Sequence, residues 1–333
     1  MRMVSSIAHA GNWALGTFSP RSGQVDQAVF PGLIRTDRVL GLSARDALGN
    51  PASTLELLER WDSVLPVLDA LAETSPPGDW IPLEELDVAS PVAPRQVFQC
   101  GANYRTHVID LAVEHHDPAD GRTVEQVRAE AAAEMDARLE HSPYVFLGLP
   151  SAVSGPFDDV VLPRDGEQPD WELELAAVIG RPARRVEVSE ALDAVAGWVI
   201  VNDLTLRERV LRRDMPLLGS DWVASKNFPT ALPTGPVIVP RASVPDPSTF
   251  QLTLRLNGRT MQDESAKDMI FDVARIVAHC SQVATLLPGD LVLTGSPAGN
   301  GLVHGRLLRP GDVMDATITG LGTQRTPCVA EAS

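Results

Sequence analysis

Lysine is nearly missing from this chain. Of its 28 basic residues only Lys226 and Lys267 are lysines and the rest are arginine, so each lysine poses a specific question. Positive charge is scarce too: 44 acidic residues leave a formal net charge of −16, which excludes the basic surface that nucleic acids require. No apolar run reaches the ~18 residues of a membrane-spanning helix, so no membrane partner is expected. The start, Met1 to Phe18, is interrupted by His9 and Asn12 and lacks a small-residue cleavage site. It reads as a first strand and not as a signal peptide. Cysteine is sparse and odd in number; Cys100, Cys280 and Cys328 are far apart and have no metal-ligand spacing. They are expected as buried free thiols in a reducing, cytoplasmic compartment.

What is present is a globular composition, 44% apolar and 22% charged, in 333 residues, enough for one large or two modest domains. Residues 1–92 read as an N-terminal module of strands and a helix. Ser53 to Ala72 has helical spacing, with Pro66 expected to kink or split it. Residues 93–333 are expected to form the second, larger domain. Thr123 and Gln126 make a capping box for a helix from Val124 to His141 whose apolar stripe is thin, and the segment from about 114 to 143 reads as a candidate lid, with His115 or His116 belonging to it. Asn257-Gly258 marks a tight hairpin, and Asp268 to Leu287 an amphipathic helix burying Ile270, Val273, Ile276, Val277, Cys280, Val283, Ala284 and Leu287.

The most telling stretch is Asp170 to Gly180. In an extended strand Asp170, Glu172 and Glu174 share one face, opposite Trp171, Leu173 and Leu175. Like charges beside Ala-Ala-Val-Ile resist burial unless a cation sits among them or the face is solvated. A second apolar run, Val195 to Val201, ends at Asn202-Asp203, so two strands can deliver carboxylates to one point. An all-oxygen set suits Mg²⁺, Ca²⁺ or Mn²⁺ better than zinc. The same Glu-x-Glu pattern also occurs on half-exposed edge strands, and spacing alone does not separate the two readings. His107 and Asp110 lie three apart where a strand runs into a helix, either as a water-activating dyad or as a solvated pair. Lys226 is either a loop charge or a cation for an oxyanion, and Arg207 follows Asp203 by about one helical turn.

Taken together, these pieces resemble the fumarylacetoacetate hydrolase superfamily. The resemblance runs from about Val97 to Val329 and rests on the order of many short motifs. These include Asn103-Tyr-Arg-Thr-His107, Gly155-Pro156, Asp170-Trp-Glu-Leu-Glu-Leu175, Val201-Asn-Asp203, Ser225-Lys-Asn-Phe228, Gln262-Asp263, Pro288-Gly-Asp290 and Leu293-Thr-Gly-Ser-Pro-Ala-Gly299. It implies an α+β fold with a mixed β-roll or β-sandwich core, preceded by the smaller N-terminal α/β module, and a likeness to homodimers. It also implies a divalent metal, Mg²⁺ with Mn²⁺ or Ca²⁺ as alternatives, held by Glu172, Glu174 and Asp203. His107, Asp110 and Lys226 are then the catalytic candidates, and Tyr104, Arg207, Gln262 and Ser296 the substrate contacts.

The implied activity is hydrolysis of a C–C bond in an anionic 2,4-diketo acid, with decarboxylation or isomerisation of a 2-oxo acid as the alternative and a non-catalytic binding relative as the third. The chain departs from the family pattern on the substrate side: the dyad carboxylate is Asp110 where Glu is usual, Val210 stands where Gln is frequent, Glu264-Ser265-Ala266 replaces Gly-Asn-Thr, and Ser296 replaces a common threonine.

Overall fold

Five short strands rich in Val, Ile and Leu open the chain: β1 (Ala14–Pro20), β2 (Phe30–Arg35), β3 (Arg38–Gly41), β4 (Trp80–Pro82) and β5 (Leu86–Ala89). They pair antiparallel in the order β4-β3-β2-β1-β5. The computed structural model describes residues 7–21, 28–114, 116–215, 217 and 219–332. The first six residues of the expected opening strand, and His115 of the expected lid, therefore lie outside the described residues.

Between β3 and β4 the expected single helix is two, α1 (Thr54–Leu58) and α2 (Trp61–Thr74). Pro66 does not make the break. It sits inside α2, where its ring crowds only the carbonyl of Asp62 in the first turn, and the chain breaks earlier, at Glu59-Arg60.

The rest of the chain begins with β6 (Val97–Gly101), α3 (Arg105–Glu114), α4 (Val124–Arg138) and β7 (Tyr144–Gly148). Short strands follow, β8 (Val153–Ser154), β9 (Val160–Leu162) and β10 (Pro169–Asp170). Then come the fully buried β11 (Leu173–Ile179), the short α5 (Val188–Ala191), β12 (Val195–Asn202) and β13 (Thr205–Leu206). α6 (Trp222–Lys226), β14 (Leu232–Pro233) and β15 (Val239–Pro240) lead to the hairpin β16 (Gln251–Leu256) and β17 (Arg259–Ser265). α7 (Val273–Val283), β18 (Leu291–Leu293), β19 (Val313–Ile318) and β20 (Gly322–Ala330) complete the fold.

A six-stranded mixed sheet runs β15-β12-β11-β18-β6-β7, and a five-stranded sheet runs β17-β16-β19-β20-β9. β11 and β12 touch the second sheet, so both faces of these two strands are covered, which is why they read as apolar runs and not as alternating ones. Gln324 on β20 stitches the sheets by donating to the carbonyls of Ile200, Pro233 and Gly235. The β16–β17 turn is made by Asn257 and Gly258, both with positive φ, as the dipeptide predicts.

The capping box at Thr123 and Gln126 is formed. α7 is shorter than expected because Asp272 caps its N-terminus, and Val283, assigned to the buried face, is 71% exposed at its last position. All three cysteines are free and buried. Among the described residues no helix is long and apolar enough to cross a membrane.

Candidate active site

β11 and β12 pair antiparallel with Leu173 opposite Asn202. This register places Glu172, just before β11, beside Asp203, just after β12, and the alternation along β11 brings Glu174 to the same side. The three carboxylates each offer an oxygen within 4.8 Å of the others, and all three residues are buried. A buried, all-oxygen donor set of this kind fits a hard divalent cation.

Two cations balance these charges from the protein itself. The Lys226 ammonium, at the C-terminal end of α6, donates to Glu172 Oε2 at 2.6 Å, Asp203 Oδ2 at 2.5 Å and the Asp203 carbonyl at 3.1 Å. The Arg207 guanidinium donates to Asp170 Oδ2 at 2.8 Å and Glu172 Oε1 at 2.6 Å. The two cations therefore bond three carboxylates, Asp170, Glu172 and Asp203, and Asp170 anchors Arg207 outside the cluster.

Electrostatics differ sharply within the cluster. Burial acts to raise the Glu172 pKa, but Arg207 and Lys226 outweigh it and hold that carboxylate below its usual range. Glu174 has no such cation in contact. Burial and then the charge of Asp203 push it well above the usual range, against the Gly295 N–H, which donates to it at 2.7 Å. Asp203 is raised to about 6 by burial, against the pull of Lys226. Its second oxygen accepts from Gln99 Nε2 at 2.6 Å. Gln99 is packed so closely against β7 that a Cβ on Gly148 would lie 2.9 Å from its Oε1, so a side chain there would displace the Gln99 amide.

These carboxylates floor a cavity of about 230 Å³ lined also by Cys100, Gly101, Ala102, His107, Phe146, Arg207, Val210, Trp222, Lys226 and Ser296. His107 is 6% exposed, and burial lowers its pKa to about 4, so the imidazole is neutral at physiological pH. Its Nδ1 makes no hydrogen bond among the described residues.

The family's sequence profile, described as fumarylacetoacetate (FAA) hydrolase C-terminal, matches residues 96–329. The chain belongs to the fumarylacetoacetate hydrolase family. It is 30% identical over 275 residues to the mitochondrial oxaloacetate tautomerase FAHD2A of Bos taurus, covering 82% of this chain and 78% of that protein. It is 40% identical over 199 residues to 2,4-didehydro-3-deoxy-L-rhamnonate hydrolase of Sphingomonas sp. (strain SKA58), covering 58% of this chain and 67% of the relative.

Among solved structures, maleylpyruvate hydrolase from Sphingobium sp. SYK-6, in complex with manganese(II) ion and pyruvate, superposes with a TM-score of 0.71. It is 25% identical, over 96% of this chain and all of that one. A 2-hydroxyhepta-2,4-diene-1,7-dioate isomerase of Mycobacterium marinum superposes at 0.65 with 26% identity over 96% of this chain and 100% of its own. The named relatives of this fumarylacetoacetate hydrolase family member are thus hydrolases, isomerases and tautomerases.

Of the residues singled out from sequence, the structure places Glu172, Glu174, Asp203, Lys226, Arg207, His107 and Ser296 on one cavity. Three candidates fall elsewhere. Asp110 does not hold His107: its carboxylate pairs with Arg128 of α4 at 3.1 Å, because the α3–α4 packing offers it a full charge there. Tyr104 is fully buried behind the cavity in the core, with its backbone bridged to Met269, and is not a lining residue.

Gln262 is equally buried and saturated, accepting from the Leu173 N–H and donating to Ser296 Oγ and the Pro297 carbonyl. It orients the serine loop from behind. His116 bonds the Arg122 carbonyl outside the cavity. Residues not singled out from sequence are Gln99, Phe146 and Trp222. A glutamine inside the apolar Val-Phe-Gln-Cys run was a legible signal for the first; the two aromatics left none.

Proposed function

We propose that this chain is a divalent-metal-dependent hydrolase that cleaves a C–C bond in a 2,4-dioxo acid. The observation that carries this reading is the convergence of Glu172, Glu174 and Asp203, with Lys226, Arg207 and His107, on one small cavity. Glu172, Glu174 and Asp203 would hold the ion, Mg²⁺ or Mn²⁺ with Ca²⁺ as a third choice. When bound, it supplies a Lewis acid for the negative charge that develops on the substrate's 2-oxo oxygen.

Around it, the chain's own residues do the rest. Arg207 and Lys226 place positive charge beside the same oxygen. His107, neutral and buried, takes a proton from water as the water oxygen bonds to the 4-carbonyl carbon. The C3–C4 bond then breaks, its electron pair stays with the 2-oxo fragment, and His107 returns its proton to C3. The products are a carboxylic acid and a shorter 2-oxo acid. The Sphingomonas relative, a hydrolase by name and 40% identical over 199 residues, supports this chemistry.

One observation favours a second reading, keto–enol tautomerisation or isomerisation of a 2-oxo acid. Asp110 is paired with Arg128 and His107 Nδ1 is free, so the imidazole is not oriented as a water-activating dyad would have it. Moving a proton between carbon and oxygen needs the same electron sink and no activated water.

The two readings separate in one assay with Mn²⁺ or Mg²⁺ and an EDTA control, run in ¹⁸O-labelled water with products identified by mass. Hydrolysis puts one label into the released acid, and His107→Ala lowers that rate by about 10²-fold or more. Ketonisation of an enol with no cleavage and no label establishes the second reading and removes the first.

A further inference from the structure

The lining of the cavity is divided. Part of it is ionic, and another part, formed by Phe146, Val210 and Trp222, carries no charge; the two adjoin where Lys226 Nζ lies 6.0 Å from the Phe146 ring centroid. Phe146 and Trp222 are stacked, with ring centroids 4.3 Å apart and planes 11° off parallel. The indole N–H is already donated to the Tyr144 hydroxyl at 2.6 Å, so Trp222 offers the cavity its ring alone. Ser296, the one hydroxyl in the lining, accepts from Gln262.

Cations in the lining are Arg207 and Lys226, and both are bound to carboxylates of the floor. With a divalent ion bound, Asp170, Glu172, Glu174 and Asp203 are matched by the ion, Arg207 and Lys226, which leaves the buried site neutral overall. Of the neighbouring arginines, Arg209 pairs with Asp165 and Arg212 with Asp214 and Asp221, while Arg213 is exposed and does not line the cavity.

Resting on the 2-oxo acid reading above, we propose that the substrate has a single carboxylate and that its far end is an uncharged, apolar alkyl or aryl group lying on the Phe146–Trp222 wall. A second carboxylate there would lose its hydration against two rings and a valine, and the lining cations Arg207 and Lys226 are already bound to carboxylates. An apolar tail loses nothing on leaving water and gains ring contact. Val210 belongs to this wall and withholds the polar contact that a glutamine would give. The proposal sets this chain apart from relatives whose named substrates, oxaloacetate and 2-hydroxyhepta-2,4-diene-1,7-dioate, are dicarboxylates.

The test uses two 2-oxo acids without a 4-oxo group, so that binding is read apart from cleavage. Calorimetry on the Mn²⁺-loaded protein compares 2-oxo-4-phenylbutanoate with 2-oxoadipate. The phenyl acid is expected to bind at least ~10-fold tighter. Val210→Arg should narrow or invert that ratio by strengthening 2-oxoadipate, and Trp222→Ala should weaken the phenyl acid about tenfold while moving 2-oxoadipate less than about twofold.

Equal or tighter binding of 2-oxoadipate by the wild-type protein overturns the tail assignment and leaves the hydrolase reading standing. Binding of neither acid removes both. The expected binding ratio, with no turnover of 4-phenyl-2,4-dioxobutanoate, sinks hydrolysis and keeps the tail.

Discussion

Lys226 is the residue on which the carboxylate cluster balances. It is 3% exposed and its ammonium bonds two of the three candidate ligands, so burial acts to lower its pKa while Asp203, Glu172 and Glu174 outweigh this and raise it. Lys226→Met leaves those carboxylates buried without their partner. The metal-free variant should lose about 3–5 kcal/mol of stability by thermal or denaturant unfolding. Added Mn²⁺ should recover part of that loss, because a doubly charged ion takes over the neutralisation. A variant as stable as wild type without metal would mean that the cluster is protonated rather than charge-balanced.

At this scale the sequence was readable where charge broke an apolar pattern. Glu172, Glu174 and Asp203 interrupt or end buried runs, and Lys226 stood out only because lysine is so rare. It was not readable where a polar side chain has its needs met from a distant segment: Gln262 is satisfied by loop residues more than thirty positions away, and Asp110 by a neighbouring helix.

Among the elements, α4 docks through a thin apolar stripe. Its buried side chains are Val127, Ala131 and Met135, one per turn on a single stripe, and its ties to α3 and the loop before it include half-exposed pairs such as Arg105–Asp136 and Arg128–Asp110. Exposed ion pairs contribute about 0–1 kcal/mol each, so the apolar stripe decides the docking. Met135→Ala should cost about 2 kcal/mol or more and raise amide exchange across Val124–Arg138 well above any change in β11 and β12. Uniform acceleration throughout the chain would show that α4 has no opening of its own.

Helix and strand existence was legible here from periodicity and capping residues, since the Thr123 box and the Asn257-Gly258 turn act locally. The ends of α2 and α7 were not: the break before α2 falls at Glu59-Arg60 and not at Pro66, and the cap of α7 is Asp272, inside the span expected to be helical.

Over the whole molecule, the N-terminal sheet is joined to the six-stranded sheet by backbone as well as side chains. Leu15 and Ile238 exchange hydrogen bonds of 2.9 and 2.8 Å between β1 and the chain entering β15. Trp13 lies beside this seam, 3% exposed, with its indole N–H on Asp69 and its ring 6.5 Å from that of Trp61. Trp13→Ala should therefore cost about 3–5 kcal/mol. It should do so in one cooperative transition that calorimetry and near-ultraviolet dichroism report at the same temperature, with Mn²⁺ affinity unchanged in the folded protein. Two separated transitions would show that the sheets melt independently.

The family's architecture could be inferred from the order of motifs, whereas this seam could not, since it joins residues more than two hundred positions apart with no pattern in either. The β11–β12 register has one more implication. Glu172, Glu174 and Asp203 are fixed by strands whose every side chain is committed to the interior, while Phe146, Val210 and Trp222 hang from β7, a loop and a one-turn helix at the rim. On the proposed tail assignment, appetite for different molecules can thus be rewritten at Val210 and Trp222 by mutation or design, whereas Phe146 also meets the reactive machinery through Lys226, 6.0 Å from its ring.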